Sequence, residues 1–193
     1  MIIDGHLIAS EIKSDLKDKI SILKQKNIIP HLAVVLIGND PSSEAYVKQK
    51  QKVGLEIGAR VTLIRQQITD NRKQLINIVK KLNSDPLVHG IIIQRPVPID
   101  ISKEELDLLV ISTKDVDGFY PYSPFTPPIA SAVLKILEYV KKKLQNNPKP
   151  LKTWLKNHHV LIIGRGETAG KPIAETLQKM EINPTIAHSK TVN

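Results

Sequence analysis

The sequence predicts an α/β protein built on a parallel sheet, followed by a second, shorter βαβ unit. Three observations carry this. Short apolar runs rich in β-branched residues, HLAVVLIG (31–38), ARVTLIR (59–65) and VHGIIIQ (88–94), read as buried strands. Stretches of helical periodicity separate them, and strands alternating with helices imply right-handed βαβ connections and a parallel sheet. Late in the chain, HHVLIIGRGETAGKPIAETLQKMEINPTIAHS reads as strand, glycine turn, helix and strand.

The elements follow in order. Residues 5–26 carry Ile8, Ile12, Leu16, Ile20 and Leu23 on one helical stripe. NDPSS, after the first strand, supplies turn and capping residues for a helix reaching about Ile57. NRKQLINIVKKLNSD (71–85) is a helix with Leu75, Ile78, Val79 and Leu82 inward. QRPVPID (94–100) cannot continue a central strand, because Pro96 and Pro98 lack amide donors. It is a stiff loop at the carboxyl end of a strand, the edge where ligands of open α/β sheets gather. STKDVDGFYPYSPFTPP (112–128) is a second proline-rich loop. A helix over 129–144 turns Val133, Ile136, Leu137 and Val140 inward, and QNNPKP (145–150) serves as a link. The expected organisation is a first lobe over 1–120, a connecting helix and linker over 121–150, and a partial nucleotide-binding lobe over 151–193.

Bulk composition excludes several classes. Apolar residues make up 41% and charged residues 24%, an ordinary globular balance. No apolar run reaches transmembrane length, and MIIDGHLIAS lacks the pattern of a secretory leader. The absence of cysteine excludes disulfides, thiolate metal sites and a cysteine nucleophile, and fits a reducing, cytoplasmic compartment. The net charge of +9 raises nucleic-acid binding. Yet the lysines share helices with acids, as in SEIKSDLKDK, and only four tyrosines, two phenylalanines and one tryptophan are available to stack on bases. A solvated lysine-rich surface, or a field attracting small anions, fits better than nucleic-acid recognition. Asp115 and Asp117 lack nearby histidines or further acids, so no metal site is expected.

The glycine turn holds Gly164, Gly166 and Gly170 between a strand and a helix, with Ala169 where a strict G-x-G-x-x-G would place its third glycine. The pattern fits either a tight ligand-free βα turn or a Rossmann-type cradle, in which backbone and helix N-terminus approach a pyrophosphate. The following strand ends in His188, Ser189, Lys190 and Thr191, with no acid for ribose hydroxyls. With Arg165 in the turn itself, charge complementarity favours the 2′-phosphate of NADP over NAD.

AYVKQKQKVG (45–54) sets Tyr46 and Lys50 one helical turn apart, and Val53 and Ile57 continue their stripe inward. Two readings are open at this point. Lys50 is a snorkelling lysine beside a core tyrosine, or a partly desolvated amine whose lowered pKa suits proton exchange.

Taken in order, SSEAYVKQK, HGIIIQRPVP, KDVDGF and GRGETAGKP, with the opening IIDGHLIASEI, resemble the bifunctional methylenetetrahydrofolate dehydrogenase/cyclohydrolase family along almost the whole chain. The S-x-x-Y-V-x-x-K and K-D-V-D-G-F strings are specific to that family, whereas the glycine turn is widely shared. The resemblance implies a folate-binding catalytic lobe, an NADP-binding lobe and a cleft between them. It makes Lys50 the central catalytic amine and packs Tyr46 against the folate rings. Gln94 orients Lys50, Asp117 accepts donors from the pterin, and Ser43 and Pro96 support the substrate. Gly164, Arg165, Gly166, Gly170, His188, Ser189 and Thr191 hold NADP. Family members are usually dimers through the cofactor lobe.

The sequence departs from that family in several places. Arg95 and Val97 stand where leucines are usual, and Arg95 reaches either a substrate carboxylate or solvent. The segment after DGFYPY is shorter, PFTPP lacks the usual cysteine, and Gly166 replaces a serine that often holds the 2′-phosphate. The chain stops after the second strand of the cofactor lobe, which marks it as a truncated or partial sequence with an uncovered apolar last strand. A degenerate homologue that binds folate or nucleotide without turnover is the alternative expectation, and a basic nucleic-acid-binding module a weaker one.

Overall fold

The computed structural model describes residues 2–67 and 72–191. Two compact units divide the chain, one of Ser10–Phe125 and one of Met1–Ala9 with Thr126–Asn193. The first helix, α1 (Gly5–Gln25), buries Ile8 and Ile20 and half-buries Ile12, Leu16 and Leu23, the stripe its periodicity requires.

The Ser10–Phe125 unit is built on β1 (His31–Ile37), α2 (Pro41–Ile57), β2 (Arg60–Gln66), α3 (Arg72–Ser84) and β3 (Gly90–Ile93). The strands are parallel in the order β2–β1–β3. β1 is central, so Ala33–Ile37 are buried on both faces. Its alternate residues divide between two cores. Ala33, Val35 and Ile37 meet Leu75 and Val79 of α3 with Ile91 and Ile93. Val34 and Leu36 meet Val47 of α2 and Ile92. The sheet is therefore covered on both sides, as parallel sheets require.

Local chemistry sets the helix limits. Asp40 caps α2 by accepting from the Ser43 amide, Pro41 opens the first turn, and Gly58 closes it at φ 85°. Gly54 brings α2 onto β2, since a Cβ there would lie 2.3 Å from Val61 Cγ2. Leu75 is fully buried. Leu75→Ala is expected to lower unfolding stability by about 2–5 kcal/mol, read from the denaturant midpoint.

Between the two expected loops, 94–100 and 112–128, lies a helix that periodicity did not reveal, α4 (Lys103–Leu109). Ser102 accepts from the Glu105 amide at 3.1 Å, so the S-x-x-E spacing of a capping box was its available signal. A 3₁₀ turn at Ser112–Lys114 follows.

The second unit contains α5 (Pro128–Tyr139), α6 (Leu151–Leu155), β4 (Leu161–Ile163), α7 (Gly170–Lys179) and β5 (Thr185–Ala187). The expected single helix over 129–144 changes pitch at its end, where Val140–Leu144 forms a π-helical turn. Lys141, 1% exposed, closes that turn through the carbonyls of Asn147 (3.3 Å) and Lys149 (2.6 Å) and the Glu138 carboxylate (3.3 Å). Leu134, Leu137 and Val140 pack on a core of Trp154, Leu155, Ile162, Ala174, Leu177 and Ile182. Leu134 thus joins this core, whereas the expected Val133 and Ile136 do not. β4 and β5 pair in parallel; Ile162 points inward, while Leu161, Ile163 and Ile186 remain exposed. The bare apolar surface therefore involves β4 as well as the last strand. Among the described residues no helix is long and apolar enough to cross a membrane.

Candidate active site

Strand order reverses at β1, with β2 on one side and β3 on the other. The carboxyl ends of β1 and β3 thus flank a topological switch point, where open α/β sheets form their ligand crevice. α2 leaves the end of β1 and carries Ser43, Tyr46 and Lys50; Gln94 directly follows β3. The Gln94 amide donates to the Val35 carbonyl at 2.9 Å, which continues the parallel ladder one residue past the strand.

The buried stripe of α2 is Ser43, Val47 and Gly54. This corrects the expected inward stripe through Tyr46 and Lys50, which lie at its margin: Lys50 is half-buried and Tyr46 is 63% exposed. Lys50 Nζ donates to Gln94 Oε1 at 3.0 Å and sits 5.7 Å from the Tyr46 ring centroid. Gln94 Nε2 donates to the Arg95 carbonyl at 3.1 Å, which fixes the amide so that its oxygen faces the amine. Ser43 Oγ donates to the same carbonyl at 3.5 Å, and its amide donates to Asp40 at 2.7 Å. Pro96 is exposed beside them, after a cis peptide bond.

Asp117 reaches the site from the loop after the 3₁₀ turn. Buried Asp115 organises that loop: its carboxylate accepts from the amides of Gly118 (3.2 Å) and Tyr120 (2.8 Å), and its carbonyl accepts from Ser123 Oγ (3.0 Å). Asp115 also bridges to Ile91 of β3 as an added parallel pair. Burial pushes the Asp117 carboxyl above the ordinary aspartate value; Lys50 opposes this, Asp115 adds to it and Arg95 opposes it. Burial likewise holds the Lys50 amine below the ordinary lysine value, with the Asp117 charge acting against the shift. Lys50 and Gln94 are thus joined by a hydrogen bond, and Asp117 lies within electrostatic reach of the amine. An amine oriented by an amide oxygen, with its pKa lowered and a carboxylate within electrostatic reach, is equipped to exchange protons.

The other sequence-selected residues lie in the second unit. Gly164 ends β4 at φ 109°, and its amide donates to the Ala187 carbonyl at 2.7 Å. A Cβ on Gly170 would meet the Gly164 carbonyl oxygen at 2.1 Å, so only glycine permits this close turn. Above Gly164 and Gly166 the space is open, with nothing within 4 Å of an added Cβ. Arg165 is exposed. Past β5, His188–Thr191 form a turn in which the His188 amide donates to Thr191 Oγ1 at 2.8 Å, with Ser189 exposed beside it. An open backbone turn before a ten-residue helix fits a pyrophosphate. Among the described residues no group of three or more His, Cys, Asp and Glu side chains is placed to hold a metal ion.

Residues 3–117, which contain the whole Lys50–Gln94–Asp117 arrangement, match the family model described as the tetrahydrofolate dehydrogenase/cyclohydrolase catalytic domain. The chain belongs to this family. The bifunctional protein FolD of Ligilactobacillus salivarius is 34% identical over 199 aligned positions, covering 100% of this chain and 67% of that protein. The crystal structure of the bifunctional FolD methylenetetrahydrofolate dehydrogenase/cyclohydrolase of Campylobacter jejuni is similar at a TM-score of 0.86 and 32% identity, over 98% of this chain and 67% of that one. The Trypanosoma brucei FolD structure, complexed with NADP and an inhibitor, matches at a TM-score of 0.82 and 25% identity, over 99% of this chain and 65% of that one. The chain thus spans about two thirds of the length of these tetrahydrofolate dehydrogenase/cyclohydrolase relatives.

Sequence reasoning left the support of the Asp117 loop unread. Asp115, considered there only as a metal ligand, is the loop's internal anchor. The Arg95 side chain is largely buried rather than in solvent. Its guanidinium pairs with Asp107 of α4 and lies 3.8 Å from the Phe119 ring centroid. The Q-R-P string alone carries no signal for partners in two other segments.

Proposed function

We propose that the chain oxidises 5,10-methylenetetrahydrofolate to 5,10-methenyltetrahydrofolate with NADP and hydrolyses the product to 10-formyltetrahydrofolate, within one-carbon folate metabolism. The observation that carries this reading is the 3.0 Å hydrogen bond from Lys50 Nζ to Gln94 Oε1, with Asp117 coupled to the same amine. Family membership and the FolD relatives support the same reaction.

Each residue has a role that follows from its chemistry. Exposed Tyr46 offers an aromatic face to the folate rings, and Asp117 offers carboxylate acceptors to the pterin N–H groups. Ser43 and Pro96 line the same substrate position. Gln94 takes one hydrogen of the Lys50 amine and orients its lone pair. Neutral Lys50 then accepts and returns a proton as water adds to the methenyl carbon, without placing a second cation beside the first. When bound, NADP supplies the hydride acceptor. Gly164, Gly166 and Gly170 hold its pyrophosphate, and Arg165, His188, Ser189 and Thr191 hold its 2′-phosphate side. The functional division is a folate-binding catalytic domain over 1–120, a connector over 121–150 and a cofactor-binding domain over 151–193.

The +9 charge attracts the anionic folate tail and NADP, and in this reading the partners are small molecules rather than nucleic acids. The reading extends to a cytoplasmic setting and to a homodimer formed through a complete cofactor lobe.

An absorbance assay for methenyltetrahydrofolate formation and loss, with NADP and then NAD, tests the proposal on this chain and on any longer natural form. Formation with NADP at rates above those with NAD, followed by hydrolysis, is expected. Folate binding with no turnover in either step would instead identify a homologue that binds without catalysis.

A further inference from the structure

Arg95 directs its side chain into the Ser10–Phe125 unit, with 14% side-chain exposure against 10% for its partner Asp107. Three segments meet on it. Its carbonyl accepts from Ser43 Oγ and Gln94 Nε2. Its guanidinium pairs with Asp107 of α4, which also pairs with Lys103. The guanidinium carbon lies 3.8 Å from the centroid of the Phe119 ring, two residues beyond Asp117. Arg95, Asp107, Asp115, Asp117 and Phe119 line one recess.

We propose that Arg95 is a positioning residue whose guanidinium, clamped by Asp107 and laid on Phe119, fixes the 115–119 loop so that the Asp117 carboxylate is presented to the site of Lys50 and Gln94. A planar, permanently charged group suits this role, since it stacks and ion-pairs at once. It also supplies a second positive charge. Burial and the like charge of Asp115 favour the neutral acid at Asp117, and Lys50 and Arg95 oppose them. Without Arg95, Lys50 alone opposes them and Asp117 protonates at a higher pH. Lys103 remains beside Asp107, so removing Arg95 does not leave that carboxylate without a cation.

This deepens the folate reading and rests on it for the kinetic readout, while a second readout is independent of turnover. The variants are Arg95→Leu, Arg95→Lys and Asp107→Asn in the full chain. The Asp117 carboxyl is titrated by NMR with ¹³C-labelled aspartate, assigned with Asp117→Asn. In Arg95→Leu the Asp117 midpoint is expected to rise, because one of the two positive charges that favour the carboxylate is gone. The acid limb of kcat/KM moves in the same direction, with KM raised about tenfold. Arg95→Lys keeps the midpoint near that of the parent but not its KM, because the charge remains and the stacked plane is lost. Asp107→Asn keeps the guanidinium charge but removes its clamp, so KM rises as in Arg95→Leu, by less.

A folded Arg95→Leu chain with the parent's Asp117 midpoint and KM overturns the proposal. If that variant does not fold, Asp107→Asn decides, and an unmoved KM there overturns it. A parent chain without turnover refutes the folate reading alone, since the titration still tests Arg95.

Discussion

Loss of 5,10-methenyltetrahydrofolate hydrolysis is the expected result of Lys50→Met. Methionine keeps most of the length and apolar stem of lysine, so the margin of α2 stays filled while the amine disappears. Removing a positioned proton-transfer group lowers such rates by about a hundred- to ten-thousandfold. Lys50→Arg is expected to fail as well, because a guanidinium stays protonated at any working pH. Stopped-flow or steady-state decay of the methenyl absorbance, alongside a thermal melt, makes the measurement. A folded Lys50→Met chain that hydrolyses at the parent rate removes Lys50 from the mechanism.

The same amine predicts a pH dependence. Its folded pKa lies below the ordinary 10.5 because burial disfavours the ammonium. Between the lowered value and 10.5 the folded chain binds fewer protons at this site than the unfolded chain, so the site's contribution to stability rises with pH through that window. The neutral amine accumulates in the same direction. Hydrolysis in the parent should therefore rise with pH on a limb below the ordinary lysine range, and Lys50→Met should lack it.

Gly170→Ala carries the second large effect. The added methyl would lie 2.1 Å from the Gly164 carbonyl oxygen and 2.7 Å from its carbon. Both are backbone atoms, so the turn between β4 and α7 must move. Overpacking of this kind costs about 1–3 kcal/mol. NADP affinity is expected to fall at least tenfold, about 1.4 kcal/mol. Gly166→Ala separates geometry from ligand space, because its methyl meets no atom within 4 Å. Its melting temperature should match the parent's while NADP binding weakens. Calorimetric titration with NADP and parallel melts read both variants. Undiminished NADP binding in Gly170→Ala would remove the glycine turn from the cofactor site.

The parts of the fold that were legible in the sequence are those written in local periodicity. Ala33–Ile37 announce a doubly covered strand, and Gly164 to Gly170 announce a strand-to-helix turn, because each pattern is contained in a few consecutive residues. The grouping of Lys50, Gln94 and Asp117 came through motif resemblance, and the structure gives a hydrogen bond between the first two. What stayed hidden depends on contacts between distant segments. α4 is too short for helical periodicity to stand out against its proline-rich surroundings. The inward stripe of α2 shifted from Tyr46–Lys50 to Ser43–Val47–Gly54, since the fit of Gly54 against Val61 sets which side of the helix faces the sheet. The fate of Arg95 needed Asp107 and Phe119, which no neighbouring residue announces.

The placement of Gln94, one residue past β3 and still bonded to Val35, makes the site a matter of odd and even. A single-residue deletion within Gly90–Ile93 would flip the amide to the opposite side of the sheet and bring a guanidinium to the amine in its stead. Two like cations would then meet where a donor and an acceptor now do. Counting errors in this short strand are therefore chemically lethal in a way that equal slips in the surface helices are not.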